Sequence, residues 1–156
     1  MAASKKRAVY AIIGPSGGGK STLAGSLFDS EGVQICEADD YFTDPDSSYH
    51  FDPRKLPDAH GACLRRWITL CRAGVPAAVS NTSTSPAEIA PYLAVAQAYG
   101  CTVRVLRVGA GWTAEALAAR CVHTVPVRVI QSQIDTLERT LAQWPPYWPK
   151  VENIST

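Results

Sequence analysis

Gly14-Pro15-Ser16-Gly17-Gly18-Gly19-Lys20-Ser21 is a complete G-x-x-x-x-G-K-[ST] segment, built from the residue types that hold a chain of phosphates. Glycines let successive backbone N–H groups turn inward around phosphate oxygens, and the helix that follows points its positive end at the same charges. Lys20 is placed to reach the β- and γ-phosphates, and the Ser21 hydroxyl to ligate Mg²⁺. The segment lies between an apolar run, Ala8 to Ile13, and a helical pattern, Thr22 to Phe28. Strand, loop and helix in that order are the context the motif requires. Gly14, Ser16, Gly17, Gly18, Gly19, Lys20, Ser21 and Thr22 are therefore expected to bind a nucleoside triphosphate.

A second reactive pair, Asp39-Asp40, follows the short run Val33-Gln34-Ile35-Cys36. A carboxylate there can face the γ-phosphate and accept a proton from an attacking hydroxyl. Asp39 is expected to be that base, and Asp40 to cap the loop on the acceptor side. A GTPase would need an N-K-x-D segment to read guanine, and the chain has none. A motor ATPase would want an apolar strand ending in an acidic residue; here Ala77-Ala78-Val79 leads into Ser80-Asn81. Phosphoryl transfer to a hydroxyl is the chemistry that remains. Tyr41, Phe42, Tyr49, His50, Phe51 and His60 offer ring faces on which a base taken out of a duplex could stack. Acidic residues in the same stretch oppose a phosphate backbone, while Arg54, Lys55, Arg65 and Arg66 supply cations for one.

The elements that must position these groups alternate. Strands are expected at 8–13, 33–36, 77–80 and 101–108. Helices are expected at about 20–29, from Asp52-Pro53 to Cys71, from Ser85 to Tyr99, from Thr113 to Arg120 and from Pro126 to Leu141. Ser85-Pro86-Ala87-Glu88 combines an N-cap, a first-turn proline and a capping-box glutamate. Residues 142–156, rich in proline and aromatics, are expected to be an irregular tail. Strands separated by helices imply a parallel sheet with helices on both faces, and ligands then sit at the carboxyl ends of the strands. That edge gathers the glycine-rich loop, Glu37 to Asp40, Ser80 to Ser83 and the stretch after Val108. Lys5-Lys6-Arg7 falls at the opposite edge, where a solvated terminus is the simplest role.

Composition narrows the class. The chain has 156 residues, 46% hydrophobic and 19% charged, with a net charge of +1. That suits one folded domain with no global attraction to nucleic acid, so any such contact must be a local patch. No apolar run approaches the ~20 residues of a membrane span. Five cysteines without a C-x-x-C pair read as reduced thiols of a cytoplasmic protein.

Taken in order, Gly14 through Thr22, Ala38-Asp39-Asp40-Tyr41, Tyr49-x-Phe51, Leu56, Ala59-His60, Ser80-Asn81-Thr82, Ala98-Tyr99-Gly100, Arg120-x-x-His123 and Val125-Pro126 resemble the small P-loop kinases related to the 5′-kinase domain of bacteriophage polynucleotide kinase. The resemblance spans roughly residues 8–141. It implies an α/β, three-layer P-loop NTPase fold of kinase type, with a small parallel sheet and a helical lid. It also implies ATP and Mg²⁺ as cofactors, and a hydroxyl on a nucleic acid as acceptor. Asp39 matches the family's general base, and Arg120 a lid arginine that neutralises charge on the transferring phosphoryl group. Phe42 stands where the end-specific kinases carry an arginine that grips the acceptor's phosphate, and Asn81 stands where their third strand ends in aspartate. With Asp40, Tyr41, Phe42, His60 and Asn81 as acceptor residues, the segment is similar to the stand-alone phage branch. That branch phosphorylates the hydroxymethyl group of 5-hydroxymethyluracil in DNA. A 5′-hydroxyl DNA end, a free nucleoside or other small hydroxyl compound, and a binding module without turnover remain open at this point.

Overall fold

The computed structural model describes residues 8–155, so Lys5-Lys6-Arg7 lie outside the described residues. The chain runs β1 (Ala8–Ile13), α1 (Lys20–Glu31), β2 (Gln34–Cys36), α2 (Leu56–Ala73), β3 (Ala77–Val79), α3 (Pro86–Ala98), β4 (Thr102–Arg107), α4 (Ala114–Arg120), α5 (Val127–Ala142) and β5 (Val151–Asn153). The five strands form one sheet in the order β2-β3-β1-β4-β5. Every pairing is parallel: Gln34 opposite Ala77, Val9 opposite Ala77, Ala8 opposite Thr102 and Val105 opposite Val151. This is an α/β P-loop NTPase fold of kinase type.

β1 is apolar at every position because it is the central strand and is covered on both sides. Val9, Ala11 and Ile13 face one layer, packing with Ala59, Cys63 and Trp67 of α2, Ile89 and Leu93 of α3, and Leu137 of α5. Tyr10 and Ile12 face the other, with Ala24 of α1. Trp67 ties α2 to α3 by donating its indole N–H to the Tyr92 carbonyl at 3.0 Å. The capping box at α3 forms as expected: Glu88 accepts from the backbone N–H groups of Thr84 and Ser85, each at 2.9 Å.

Two sequence expectations need correction. The long helix does not begin at Pro53. Pro53–Lys55 is a separate 3₁₀ turn, capped by the Asp52 carboxylate accepting from the Arg54 N–H at 3.0 Å. Pro57 has no N–H to give the Pro53 carbonyl, so the first turn closes one residue short and the α-helix starts afterwards. Nor is 142–156 wholly irregular, since β5 lies within it. Pro145, Pro146 and Pro149 turn the chain back instead of leaving it loose. Trp144 donates its indole N–H to the Pro149 carbonyl at 2.9 Å, and its ring meets Trp148 edge-on at 4.8 Å. The returning strand is held by Arg104 on Glu152, at 2.9 and 2.6 Å, and by the Ile154 N–H on the Arg107 carbonyl at 2.8 Å. Three residues are too few to show a strand period.

A third, small apolar cluster joins Ala114 and Leu117 of α4 to Ile130 of α5. It is separate from the two main layers. α4 is therefore attached through α5 and sits over the glycine-rich loop as a lid would.

Candidate active site

The glycine-rich loop leaves β1 at Ile13 and enters α1 at Lys20. Its shape depends on missing side chains. Gly17 has φ of 76°, and a Cβ there would lie 2.1 Å from the Leu117 carbonyl oxygen, so the loop nests directly under α4. A Cβ on Gly14 would lie 2.7 Å from the Val108 carbonyl oxygen at the end of β4. The Gly18 N–H bonds the Pro15 carbonyl at 3.1 Å, and the Ser16 N–H bonds Gln133 Oε1 of α5 at 2.9 Å.

Lys20 is buried and folds back over the loop, its Nζ donating to the carbonyls of Gly14 at 3.1 Å and Pro15 at 2.8 Å. Burial pushes its pKa down from 10.5 to about 8, opposed by the negative potential of Cys121, Glu37 and Asp39. Next to it, the Ser21 hydroxyl donates to Glu37 Oε1 at 3.0 Å, and the Ser80 hydroxyl donates to the same oxygen. Glu37 therefore links the start of α1, the end of β2 and the end of β3. Sequence reasoning gave it no role, although its place just past a strand's carboxyl end was a usable signal.

The structure splits the aspartate pair. Both lie in a 3₁₀ turn, Ala38–Phe42, and both are exposed. Asp39 lies within electrostatic range of Lys20, and the Tyr49 hydroxyl stands 3.5 Å from its Oδ1. Burial, and then the Asp39 carboxylate, raise the Tyr49 phenol above its ordinary pKa. Asp40 points instead to Arg66 of α2, 3.7 Å away. It lines a cavity of about 500 Å³ along β2 that also takes in Ser21, Phe28, Ile35, Glu37 and Arg66.

Two expected acceptor residues are buried. Phe42 is buried in the main core, because it packs under the turn beside Tyr41, Tyr49 and Phe51 and meets each of their rings edge-on. Asn81 is buried with its amide fully engaged. It accepts from the Ala38 N–H at 2.8 Å and donates to the Tyr92 hydroxyl at 3.2 Å and Cys63 Sγ at 3.4 Å. That arrangement pins the start of the aspartate turn to β3. Tyr41 is exposed beside the turn. His60 is exposed on α2, within electrostatic range of Glu88 at the start of α3.

Arg120 ends α4, and its guanidinium carbon lies 4.3 Å from the centre of the Trp112 ring. Trp112, Gly109, Ala110, Asn153, Ile154 and Ser155 line a second cavity of about 170 Å³ at the carboxyl ends of β4 and β5. A Cβ built on Gly109 would lie 3.1 Å from the Gly18 Cα, so this cavity adjoins the glycine-rich loop. The sequence reading missed it, since half its wall comes from the misread tail.

The oxygens of Ser21 and Glu37, with the Asp39 charge nearby, fit a hard cation such as Mg²⁺. That ion uses one or two protein oxygens and completes its shell with phosphates and water. No group of three or more His, Cys, Asp or Glu side chains converges as a metal site among the described residues. No helix among them is long and apolar enough to cross a membrane.

A family model described as an AAA domain matches residues 9–143. The chain belongs to that family. A chain of the Pnkp1/Rnl/Hen1 RNA repair complex is similar in structure, with a TM-score of 0.75 and 15% identity over 92% of this chain. This chain spans only 48% of that chain's length. A gluconokinase from Sinorhizobium meliloti 1021 has a TM-score of 0.63 at 18% identity, covering 96% of this chain and 83% of its own. The APS kinase CysC of Mycobacterium tuberculosis has a TM-score of 0.52 at 16% identity, covering 85% of this chain and 98% of its own. At such identities the likeness is one of fold, shared by kinases acting on unlike acceptors.

Proposed function

We propose that this AAA-family chain is a kinase that transfers the γ-phosphoryl group of ATP to a hydroxyl on DNA, with the hydroxymethyl group of 5-hydroxymethyluracil as its preferred acceptor. The observation that carries the reading is a buried Lys20 at the end of the glycine-rich loop with the Asp39 carboxylate within its electrostatic range, and the exposed Tyr49 ring beside that carboxylate. The loop N–H groups and Lys20 hold the β- and γ-phosphates, Lys20 exchanging its two carbonyl partners for phosphate oxygens. Ser21 and Glu37 would hold Mg²⁺, which supplies charge neutralisation across the β- and γ-phosphates when bound. Asp39 takes the proton of the acceptor hydroxyl as the oxygen–phosphorus bond forms. The bond from phosphorus to the β–γ bridging oxygen breaks, and ADP leaves. Arg120 moves from Trp112 toward the transferring group as α4 closes and excludes water. The nucleobase of ATP enters the cavity beside Trp112.

The preference for an internal base follows from Phe42. The position that would carry a phosphate-gripping arginine is apolar and buried. Tyr41, Tyr49 and Phe51 around it are exposed. One observation favours a second reading, a small hydroxyl compound bearing an anionic group. The cavity along β2 has the size for one, and Arg66 beside Asp40 is a cation for it.

The test is transfer from γ-labelled ATP to four acceptors: end-blocked DNA containing 5-hydroxymethyluracil, plain DNA with a 5′-hydroxyl, free nucleosides, and a panel of small hydroxy acids. Label on the first, at unpaired positions at least as well as paired ones, is the expected result. Label only on 5′ ends returns the chain to end-specific kinases, and label only on small molecules selects the second reading.

A further inference from the structure

Tyr49 lies in the connection between β2 and α2 and His123 in that between α4 and α5, yet their rings are nearly parallel, 19° apart with centres 5.0 Å apart. Both residues are exposed. Tyr49 is presented by a tight hairpin. Thr43 and Tyr49 form an antiparallel bridge, the His50 N–H bonds the Phe42 carbonyl at 2.8 Å, and the turn closes through Ser47 at φ of 68°. The buried Phe42 ring supports Tyr49 edge-on from below, at 6.3 Å. His123 sits in the connection between α4 and α5, three residues past Arg120, and so travels with the lid. The contact is therefore the place where the acceptor arm meets the lid.

We infer that Tyr49 and His123 are the two jaws of a nucleobase clamp, closing on one unstacked base of the acceptor strand and setting its substituent beside Asp39. This rests on the reading that the acceptor is a nucleic acid. Two flat rings held parallel in solvent are preorganised for a third between them, and every base has a face to offer. At 5.0 Å the jaws are shut on each other, so they must part by about the thickness of a ring to admit a base. The separate cluster at α4 and the start of α5 lets the lid supply that movement while Leu137 keeps the far end of α5 in the main core.

The register of the Tyr49 ring explains how a clamped base reaches the chemistry. The phenol oxygen already stands 3.5 Å from Asp39 Oδ1. A pyrimidine stacked on Tyr49, with a hydroxymethyl group on the same edge, carries its hydroxyl one bond further than the phenol oxygen. That hydroxyl meets Asp39 in the position Tyr49 marks. A base held between the jaws keeps the lid over Asp39, and Arg120 leaves Trp112 for the transferring group in that same event.

The probe is a trinucleotide with 2-aminopurine in the middle, whose fluorescence is quenched on stacking, compared with the same trinucleotide carrying an abasic residue there. Wild type is expected to quench the probe. Tyr49→Ala and His123→Ala should each abolish the quench and weaken binding about 5- to 150-fold. Tyr49→Phe and His123→Phe, which keep a flat ring, should retain both. None of the four should differ from wild type on the abasic trinucleotide, which a general loss of folding would not permit. If wild type binds and quenches the probe but the alanine variants do so equally, the clamp is overturned while transfer to DNA stands. If wild type does not bind the probe at all, the clamp is overturned. Absence of label on every DNA acceptor would then remove the nucleic-acid reading separately.

Discussion

At the scale of single residues, Lys20 is where burial and charge conflict most. Burial lowers its pKa to about 8, opposed by Cys121, Glu37 and Asp39, while the Gly14 and Pro15 carbonyls accept its N–H groups. Phosphate oxygens favour the charged form, so a bound triphosphate raises that pKa and binding takes up a proton above about pH 8. Affinity for a non-hydrolysable ATP analogue is therefore expected to fall as pH rises through this value, approaching roughly tenfold per pH unit. Calorimetry in two buffers of different ionisation enthalpy measures the proton directly; affinity that stays level to pH 9 removes the argument. Lys20→Ala should abolish transfer and flatten that profile. The depressed pKa has the opposite consequence for the nucleotide-free fold. Burying charged Lys20 costs stability below about pH 8, and the cost is relieved as pH rises toward 10.5. Asp39 and Asp40 give the second prediction, because adjacent carboxylates point to different partners. Asp39→Asn should lower transfer ~10²-fold or more with little change in ATP binding. Asp40→Asn loses only the Arg66 contact and should be mild. A crippled Asp40→Asn with an active Asp39→Asn reverses the assignment.

At the scale of elements, the proposed mechanism asks α4 to act both as a roof and as a moving part. Leu117 lies so close to Gly17 that the roof cannot shift without the loop sensing it, while the α4–α5 cluster shares no buried residue with the main core. Arg120 at the end of this helix rests on Trp112. A cation that engages only as the lid closes stabilises charge developing in the transition state more than charge in the bound substrate. Arg120→Ala is therefore expected to lower turnover by ~10²-fold or more while the KM for ATP moves by a few-fold. Arg120→Lys should restore little, because an ammonium lacks the planar fork. A KM effect that exceeds the turnover effect would make Arg120 a ground-state binding group. The strands and most helices of this frame were legible beforehand, because β1 is apolar throughout, β4 alternates and Ser85 to Glu88 spells a helix start. The 3₁₀ turn at Pro53–Lys55 was harder, since it follows from a hydrogen bond that Pro57 cannot make four residues away.

At the scale of the whole molecule, the glycine-rich loop and Asp39 could be placed from spacing alone, because a strand end and a helix start confine them. Gln133, Trp112 and the link that Glu37 makes between Ser21 and Ser80 could not. Their roles depend on which strand lies beside which, and order in a parallel sheet is not written in any local pattern. The burial of Phe42 and Asn81 was illegible for the same reason: the sequence marks them as near the site, while burial is decided by the packing of α2 and α3. β5 is the clearest case of long-range order with a functional edge. It completes the sheet beside β4, and the residues that follow it wall the cavity next to Trp112. Removing residues 145–155 should therefore do two things at once. It strips the Arg104–Glu152 pair and the Ile154 contact from β4, leaving that strand as an edge, so the melting temperature should fall. It also opens the wall of the cavity proposed for the nucleobase, so affinity for ATP should weaken while affinity for inorganic tripolyphosphate, which needs only the loop, changes far less. Asn153→Ala with Ile154→Ala separates the effects, because the backbone pairing of β5 survives and only the wall is altered. Equal losses for ATP and tripolyphosphate in that double variant would mean that β5 supports the loop through stability alone, and that the nucleobase is held elsewhere.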